Sequence, residues 1–459
     1  VAGDAETLAS ALGGATAAEA HHVTQPDATG ATAAQVMLRA IASAGLRPEQ
    51  IDYVNAHGTA TPHNDAMEAQ CVTRVLRQDV HLGSCKGAIG HTLGASGAIE
   101  AAVTALAIAR GELPPTVGLS EPDPACPGNH LLAPWRGSVR AALSNAFGFG
   151  GTDTVLCFTQ PGLGPARAAT PSRSLVITGA AAFGPAGLTR GGATLAYTEP
   201  GPAPDEGPLS LPEGALDPMR ARRMGHAAKM LTLAAGSLGD IPADAAVIVG
   251  SAFGSVGATG AFLRRLFERG ARFAIPMHFP MALPSALSSH LSIYFGLRGT
   301  AVSMADLAAS GEAALLTAAE LIAAGELDAA VTAFVEERSA VAMRFASPLV
   351  SGLSGDIPRS EGAGALLLES AEAAGARGAA PLALLQRAVA WQGEAPALPA
   401  PLGRAPAVIL ARSNNDLPVW PDAPRHVVAG RVGDHECAGG MALAAAVAAI
   451  EVKAASDAL

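Results

Sequence analysis

Residues 81–110, HLGSCKGAIGHTLGASGAIEAAVTALAIAR, set a short apolar run, a glycine-punctuated turn and a long alanine-rich segment in immediate succession. From Ala98 to Arg110 the apolar positions recur at helical spacing, while Gly87, Gly90, Gly94 and Gly97 break regular structure ahead of them. Upstream, AAQVMLRAIASAG (33–45) reads as a helix with a glycine stop and Pro48 just beyond. IDYVNA (51–56) is a short apolar strand running into the polar turn HGTATP, and a further helix is predicted over 65–76. Downstream, Pro114 and Pro115 end any helix, and SVRAALSNAFGFGGTDTVLCF (138–158) reads strand, glycine loop, strand. Strand, loop and helix thus alternate, which predicts a layered α/β architecture.

The chain has 459 residues, 52 of them Gly, a length that predicts two to four domains or half-domains. Hydrophobic residues make up 49% and charged residues 15%, against about 25% charged in ordinary domains. That balance predicts a large core and a surface partly covered by a partner or by the chain's own second half, and it excludes intrinsic disorder. A formal charge of −10 argues against a global nucleic-acid footprint. Five cysteines, Cys71, Cys85, Cys126, Cys157 and Cys437, are widely spaced and form no CxxC pair. They read as reduced thiols of a cytoplasmic protein, with no metal site expected. No apolar run is read as reaching the ~18 residues that span a bilayer. Val1 is not a start methionine and no signal peptide follows it, so the chain is expected to be cut from something longer or to lack its beginning.

Residues 161–172, PGLGPARAATPS, have the composition of a linker, dividing the chain into 1–160 and 173–459. The second part starts afresh with SLVITGAAAFGPAG (174–187), then AAVIVGSAFGS (245–255), both strand-to-glycine-turn units. GTAVSMADLAASGEAALLTAAELIAAGELDAAVTAFVEE (299–337) reads strand, loop, long helix, strand, and AVILA (407–411) is a late strand after a Pro-rich stretch. An internal repeat is also legible. VGDHECAGGMALAAAVAAI (432–450) lies without gaps on IGHTLGASGAIEAAVTALA (89–107), pairing Gly433 with Gly90 and Gly440 with Gly97. On that register Asp434 stands for His91 and Ala429 for Lys86, so the second copy keeps the scaffold and discards the titratable groups.

Three chemistry-bearing residues stand out in the first part: His57 in NAHGTATP, and Lys86 and His91 in KGAIGHTLGASG. A histidine at the end of a buried strand, in a Gly/Thr turn, can present one ring nitrogen to a pocket. His91 precedes the long helix, whose positive end would lower its pKa and keep the imidazole neutral as a hydrogen-bond donor. Lys86 supplies a fixed cation. Singly, each also has an ordinary reading: a structural turn histidine, a solvated lysine, a tight strand-to-helix turn. Together, followed by NAFGFGGTD, they form a much more specific pattern.

AHHVTQPD, YVNAHGTATPHNDAMEAQ, KGAIGHTLGASGAIEA, ELPPTVGL and LSNAFGFGGTDTVL make residues 20–160 resemble the C-terminal half of a β-ketoacyl synthase, a condensing enzyme of thiolase-like αβαβα fold. In that family a cysteine takes the acyl chain as a thioester from an acyl carrier protein, and two histidines promote decarboxylation of the malonyl unit. The resemblance assigns those roles to His57 and His91, the family lysine to Lys86, and the loop beside the cysteine to Phe147, Gly148, Phe149, Gly150 and Gly151. It implies no cofactor beyond the carrier's phosphopantetheine arm. The family's cysteine lies in the N-terminal half, so this part is expected to need a Cys-bearing half from an upstream segment or a separate chain.

RSLVITGAAAFGPAG, VIVGSAFGSVG, the 299–337 stretch and RSEGAGALLLE make residues 173–380 resemble the N-terminal half of the same family. The nucleophile position, two residues before Ser310–Gly311, is Ala308. Arg412 stands near one histidine position and Asp434 at the other, so 173–459 resembles a chain-length factor, the inactive partner that forms a pseudo-heterodimer with a ketosynthase. HECAGG (435–440) superficially suggests a catalytic Cys437, but the repeat puts that residue at the Gly94 position. Arg220, Arg222 and Arg223 in DPMRARRMG form a basic cluster in an acidic chain, either a solvated helix face or a carrier-protein docking site. The expected function is decarboxylative Claisen condensation of a malonyl unit with a carrier-bound chain. A non-catalytic scaffold is the alternative, and a degradative thiolase is disfavoured because GFGGTD supplies no second cysteine.

Overall fold

The computed structural model describes residues 7–164, 172–197, 207–275, 278–306, 309–344, 360–385, 409–411, 425–427, 441 and 443–450. The chain divides into two compact units, Val1–Ala169 and Thr170–Leu459.

In the first unit the main elements are β1 (Ser10–Ala18), α1 (Ala31–Ser43), β2 (Tyr53–Asn55), α2 (Pro62–Val75), β3 (His81–Gly83), α3 (Lys86–Ile89) and α4 (Ser96–Arg110). They continue through β4 (Glu112–Leu113), β5 (Asn129–His130), β6 (Trp135–Arg136), β7 (Ala141–Gly148) and β8 (Thr152–Thr159). Six strands form one sheet in the order β1-β8-β7-β2-β3-β5. β1, β8 and β7 are antiparallel neighbours, whereas β7, β2, β3 and β5 run parallel. The expected helix–strand alternation is present. The long helix starts at Ser96 and ends at Arg110, where Gly111 turns left-handed at φ 61°.

Sheet alternation puts successive residues on opposite faces, and both faces are packed. Val54 and Leu143 join Met37, Ile41, Met67 and Val72 beneath α1 and α2. Tyr53 and Ala142 join Ile108, Leu113 and Phe158 on the face toward α4. This two-sided burial explains why β2 reads as a continuous apolar run rather than an alternating one. By length and composition alone, Leu93–Arg110 would suffice to cross a membrane. In the fold it packs on β7 and buries Glu100 and Thr104.

The second unit contains β9 (Leu175–Gly184), β10 (Gly187–Arg190), α5 (Pro218–Ala221), α6 (His226–Gly236), β11 (Ala246–Gly250), α7 (Val256–Arg269) and α8 (Ala286–Phe295). Then follow β12 (Ala301–Met304), α9 (Ser310–Ala323), β13 (Ala329–Glu336), β14 (Gly362–Ser370) and β15 (Ala383–Leu385), with β16 (Ile409–Ala411) and β17 (Arg425–Val427) as a separate parallel pair. Its sheet runs β10-β9-β14-β13-β11-β12, with β15 on β9. Without β5, β10 and β15, the two sheets have the same plan: the first strand beside the last, an antiparallel trio, then two parallel neighbours. Helices cover both faces again, α6 and α8 on one and α9 with the helix at 441 and 443–450 on the other. Each unit is therefore an α/β/α sandwich of thiolase-like layered type.

Candidate active site

The strand ends assemble the first unit's polar residues. β2 stops at Asn55 and hands the chain to the His57 turn, whose Ala56 N–H donates to Gly83 O at the end of β3 (2.8 Å). Gly58 sits at φ 42°, and a Cβ there would lie 2.6 Å from Ser84 Cβ, so this position of the HGT turn requires glycine. Ser84 Oγ in turn donates to Gly58 O (3.2 Å) and accepts from Lys86 N–H (3.3 Å). The two loops carrying His57 and Lys86 are thereby tied together.

Glu68 of α2 fixes the turn from below. Its carboxylate accepts from the backbone N–H groups of His57 (2.8 Å) and Gly58 (3.0 Å) and from Asn145 Nδ2 (3.0 Å). Burial pushes its pKa up despite these donors. Lys86 is buried, forms an ion pair with Glu100 of α4, and donates to His57 O at 2.5 Å. Lys86 Nζ also lies 3.4 Å from His57 Nδ1. Lys86 is thus no solvated surface group. An ammonium can only donate, so that ring nitrogen is the acceptor and Nε2 carries the proton.

His91 lies on an exposed turn between α3 and α4. Its Nδ1 accepts from the Leu93 backbone N–H (3.1 Å) and lies 3.1 Å from Ser96 Oγ. Leu93 holds φ 53°, a left-handed conformation for a non-glycine residue, at the point where its N–H turns onto the ring. The two imidazoles meet edge to face with centroids 5.7 Å apart, and Phe147 packs 5.8 Å from His57. Burial first, then Lys86 and His91, lower the His57 pKa from 6.5 to about 3. His91 is lowered by desolvation and then by Lys86. The neutral imidazole expected here is thus favoured by removal from water first and by the neighbouring cation second. Both rings are neutral, each with its Nδ1 turned to a protein donor.

The structure thus brings His57, Lys86 and His91 together. Phe147 and Gly148 belong to β7, Phe147 buried against His57, while Phe149, Gly150 and Gly151 form the turn into β8. Gly150 and Gly151 take φ 89° and 74°. Gly150 N–H donates to Val23 O (2.7 Å) and Gly151 O accepts from Glu19 N–H (2.7 Å). Glu68, Glu100 and Asn145, which hold this arrangement, were not singled out from the sequence. They are polar residues within otherwise apolar helix and strand patterns, which was the available signal.

Among the described residues the thiols are Cys71, Cys85, Cys126 and Cys157, all free. Burial raises the pKa of every one, Cys71 to about 11 and Cys157 to about 12, so none is an activated nucleophile. Ala308, Arg412, Ala429, Asp434 and Cys437 lie outside the described residues; Ser310, where α9 begins, is buried. Of the basic cluster, Arg220 Nη1 donates to Tyr294 O (2.6 Å) and its guanidinium lies 5.9 Å from the Tyr294 ring. Arg222 and Arg223 are exposed on the same segment.

Residues 8–120 match the beta-ketoacyl synthase C-terminal domain, and residues 214–347 match the beta-ketoacyl synthase N-terminal domain. A mitochondrial 3-oxoacyl-[acyl-carrier-protein] synthase of Arabidopsis thaliana is 45% identical over 149 residues, 31% of this chain and 32% of that protein. A 3-oxoacyl-[acyl-carrier-protein] synthase 2 of Synechocystis is 40% identical over 153 residues, 32% of this chain and 37% of that protein. The chain thus spans about a third of the length of these relatives. A solved structure of the PfaC keto synthase–chain length factor shares the fold, with a TM-score of 0.70 at 17% identity, over 97% of this chain and 59% of its own. Two segments of the chain are thus similar to beta-ketoacyl synthase domains, the first to the C-terminal domain and the second, further along the sequence, to the N-terminal domain.

Proposed function

We propose that the first unit supplies the decarboxylating half of a condensing active site, acting on a malonyl thioester carried by an acyl carrier protein. The observation that carries this reading is the pair of neutral imidazoles, 5.7 Å apart, each with its Nδ1 occupied by a protein donor. Each is left with an Nε2–H to offer. Loss of CO2 from a malonyl thioester leaves a carbanion whose charge is delocalised onto the thioester oxygen. Two N–H donors converging on that oxygen stabilise it, an effect worth roughly several kcal/mol. The carbanion then attacks an acyl thioester, forming the new C–C bond and expelling the thiolate that held the acyl group.

That thiolate must come from polypeptide other than the described residues, whose thiols are unactivated. The exposed apolar side chains around the histidine loop, Ile89, Leu93 and Phe149, support closure of the site by such a segment. The second unit is read as chain-length-factor-like, with Arg220, Arg222 and Arg223 as the carrier-protein contact and Ala308 at the vacated nucleophile position. Intact His57, Lys86 and His91 favour this reading over a non-catalytic scaffold, because a copy free of catalytic demand has no reason to hold a buried cation against two imidazoles. The test supplies a Cys-bearing ketosynthase half and measures condensation. His57→Ala or His91→Ala should abolish product, and unchanged product formation would remove the two histidines from the chemistry.

A further inference from the structure

Building on that reading, we propose that Ser96 is the positioning residue that sets the orientation and tautomer of His91. Ser96 is the first residue of α4 and is buried, while the loop it closes is exposed. Its Oγ lies 3.1 Å from His91 Nδ1 and 3.1 Å from Thr92 Oγ1. The direction of these bonds follows from the third group present. Leu93 N–H, a donor that cannot reverse, also points at His91 Nδ1, so this nitrogen is an acceptor and carries no proton. Ser96 must then donate its hydroxyl proton to the ring, and Thr92 Oγ1–H can donate to Ser96 Oγ. The order Thr92 to Ser96 to His91 is a directed chain that ends with the imidazole proton on Nε2.

Two donors on one nitrogen serve different ends. The Leu93 N–H comes from a backbone held at φ 53° on an exposed loop, a geometry that costs energy and is not fixed by burial. The Ser96 hydroxyl comes from the packed end of a helix and anchors the ring to the core. A donor to Nδ1 favours the neutral imidazole over the imidazolium, in the same direction as the desolvation and the Lys86 charge acting on this ring. The titratable neighbours of His91 identified by contact or charge are His57 and Lys86.

The experiment is nitrogen-15 NMR of the histidine rings in the full chain, with no substrate and no second protein. The wild type is expected to show His91 with Nδ1 unprotonated and Nε2 protonated. Ser96→Ala should give a mixture of tautomers and raise the His91 pKa by about half to one pH unit, the equivalent of one net hydrogen bond. Ser96→Thr, which keeps the hydroxyl, should restore the single tautomer, and Thr92→Val should fall between. His57, not bonded to Ser96, should keep its single tautomer throughout and so reports an intact fold. Wild-type His91 protonated on Nδ1, or unchanged ring signals and pKa in Ser96→Ala, would overturn the proposal. Because this readout needs no turnover, failure of the condensation assay leaves it standing; unchanged ring signals in Ser96→Ala would remove Ser96 alone, whereas a wild-type proton on His91 Nδ1 would also take the His91 Nε2–H out of the two-histidine reading.

Discussion

Glu68 takes both the His57 and the Gly58 backbone N–H groups on a single buried carboxylate, at 2.8 and 3.0 Å. This is how an irregular turn survives at the edge of a core: its orphan donors are satisfied by a side chain from the next helix rather than by water. The arrangement makes the turn depend on one residue outside the His57–Lys86–His91 group.

Glu68→Ala should therefore destabilise the first unit by about 3 kcal/mol or more, since it strands two backbone donors and the Asn145 amide in a dry site. Glu68→Gln keeps one acceptor oxygen and should lose less. Urea unfolding of the two variants measures the difference; equal losses would mean that the charge, not the acceptor geometry, holds the turn.

The Lys86–Glu100 pair should behave as buried ion pairs do when halved. Lys86→Met leaves Glu100 uncompensated and should cost about 3–5 kcal/mol, whereas Lys86→Met with Glu100→Leu should recover most of that. In the double variant the His57 and His91 pKa values should both rise, because the Lys86 charge is one of the causes lowering each. Ring titration by NMR reads this directly, and unmoved values would remove the lysine from the electrostatics of the site.

Acid should destabilise the first unit through His57. Its folded pKa is about 3 against an ordinary 6.5, so between those pH values the unfolded chain binds a proton that the folded one does not. Stability then rises with pH across that window, by at most about 1.4 kcal/mol per pH unit for this one proton, and falls as pH drops from 6.5 toward 3. His57→Asn should flatten the slope of unfolding free energy against pH. An unchanged slope would place the acid sensitivity elsewhere.

Much of this could be read before folding, for identifiable reasons. α4, β2 and the β7–β8 hairpin announce themselves because helical periodicity, a short apolar run and a glycine cluster are local signals. β1 does not: SALGGATAA has no β-branched or aromatic run, and it is a strand because β8 pairs with it and α1 packs on it. Its Gly13 is explained by that packing alone, since a Cβ there would meet Ser43 Oγ and Ala44 N at 2.5 Å. The His57–Lys86–His91 grouping was legible as a pattern of types, but Glu68 and Glu100 act across 11 and 14 residues through contacts that periodicity does not encode. What lowers the His91 pKa is likewise three-dimensional, removal from water and then the charge of a lysine brought beside the ring.

The second unit offers a steric test of how tightly its central strand β11 meets the start of α9. Gly250 ends β11, and a Cβ on it would lie 1.9 Å from Ser310 O and 2.9 Å from Gly311 N, both backbone atoms of the first turn of α9. Backbone cannot swing aside as a side chain does, so Gly250→Ala must push the helix start away from the strand. That should cost about 1–3 kcal/mol, the usual price of overpacking a dense core. Gly254→Ala, in the same loop with open space around it, meets no such obstacle, although its φ of 56° adds a smaller strain. Thermal unfolding should rank Gly250→Ala well below Gly254→Ala, and the reverse order would mean that the strand end and the helix start are not packed as described.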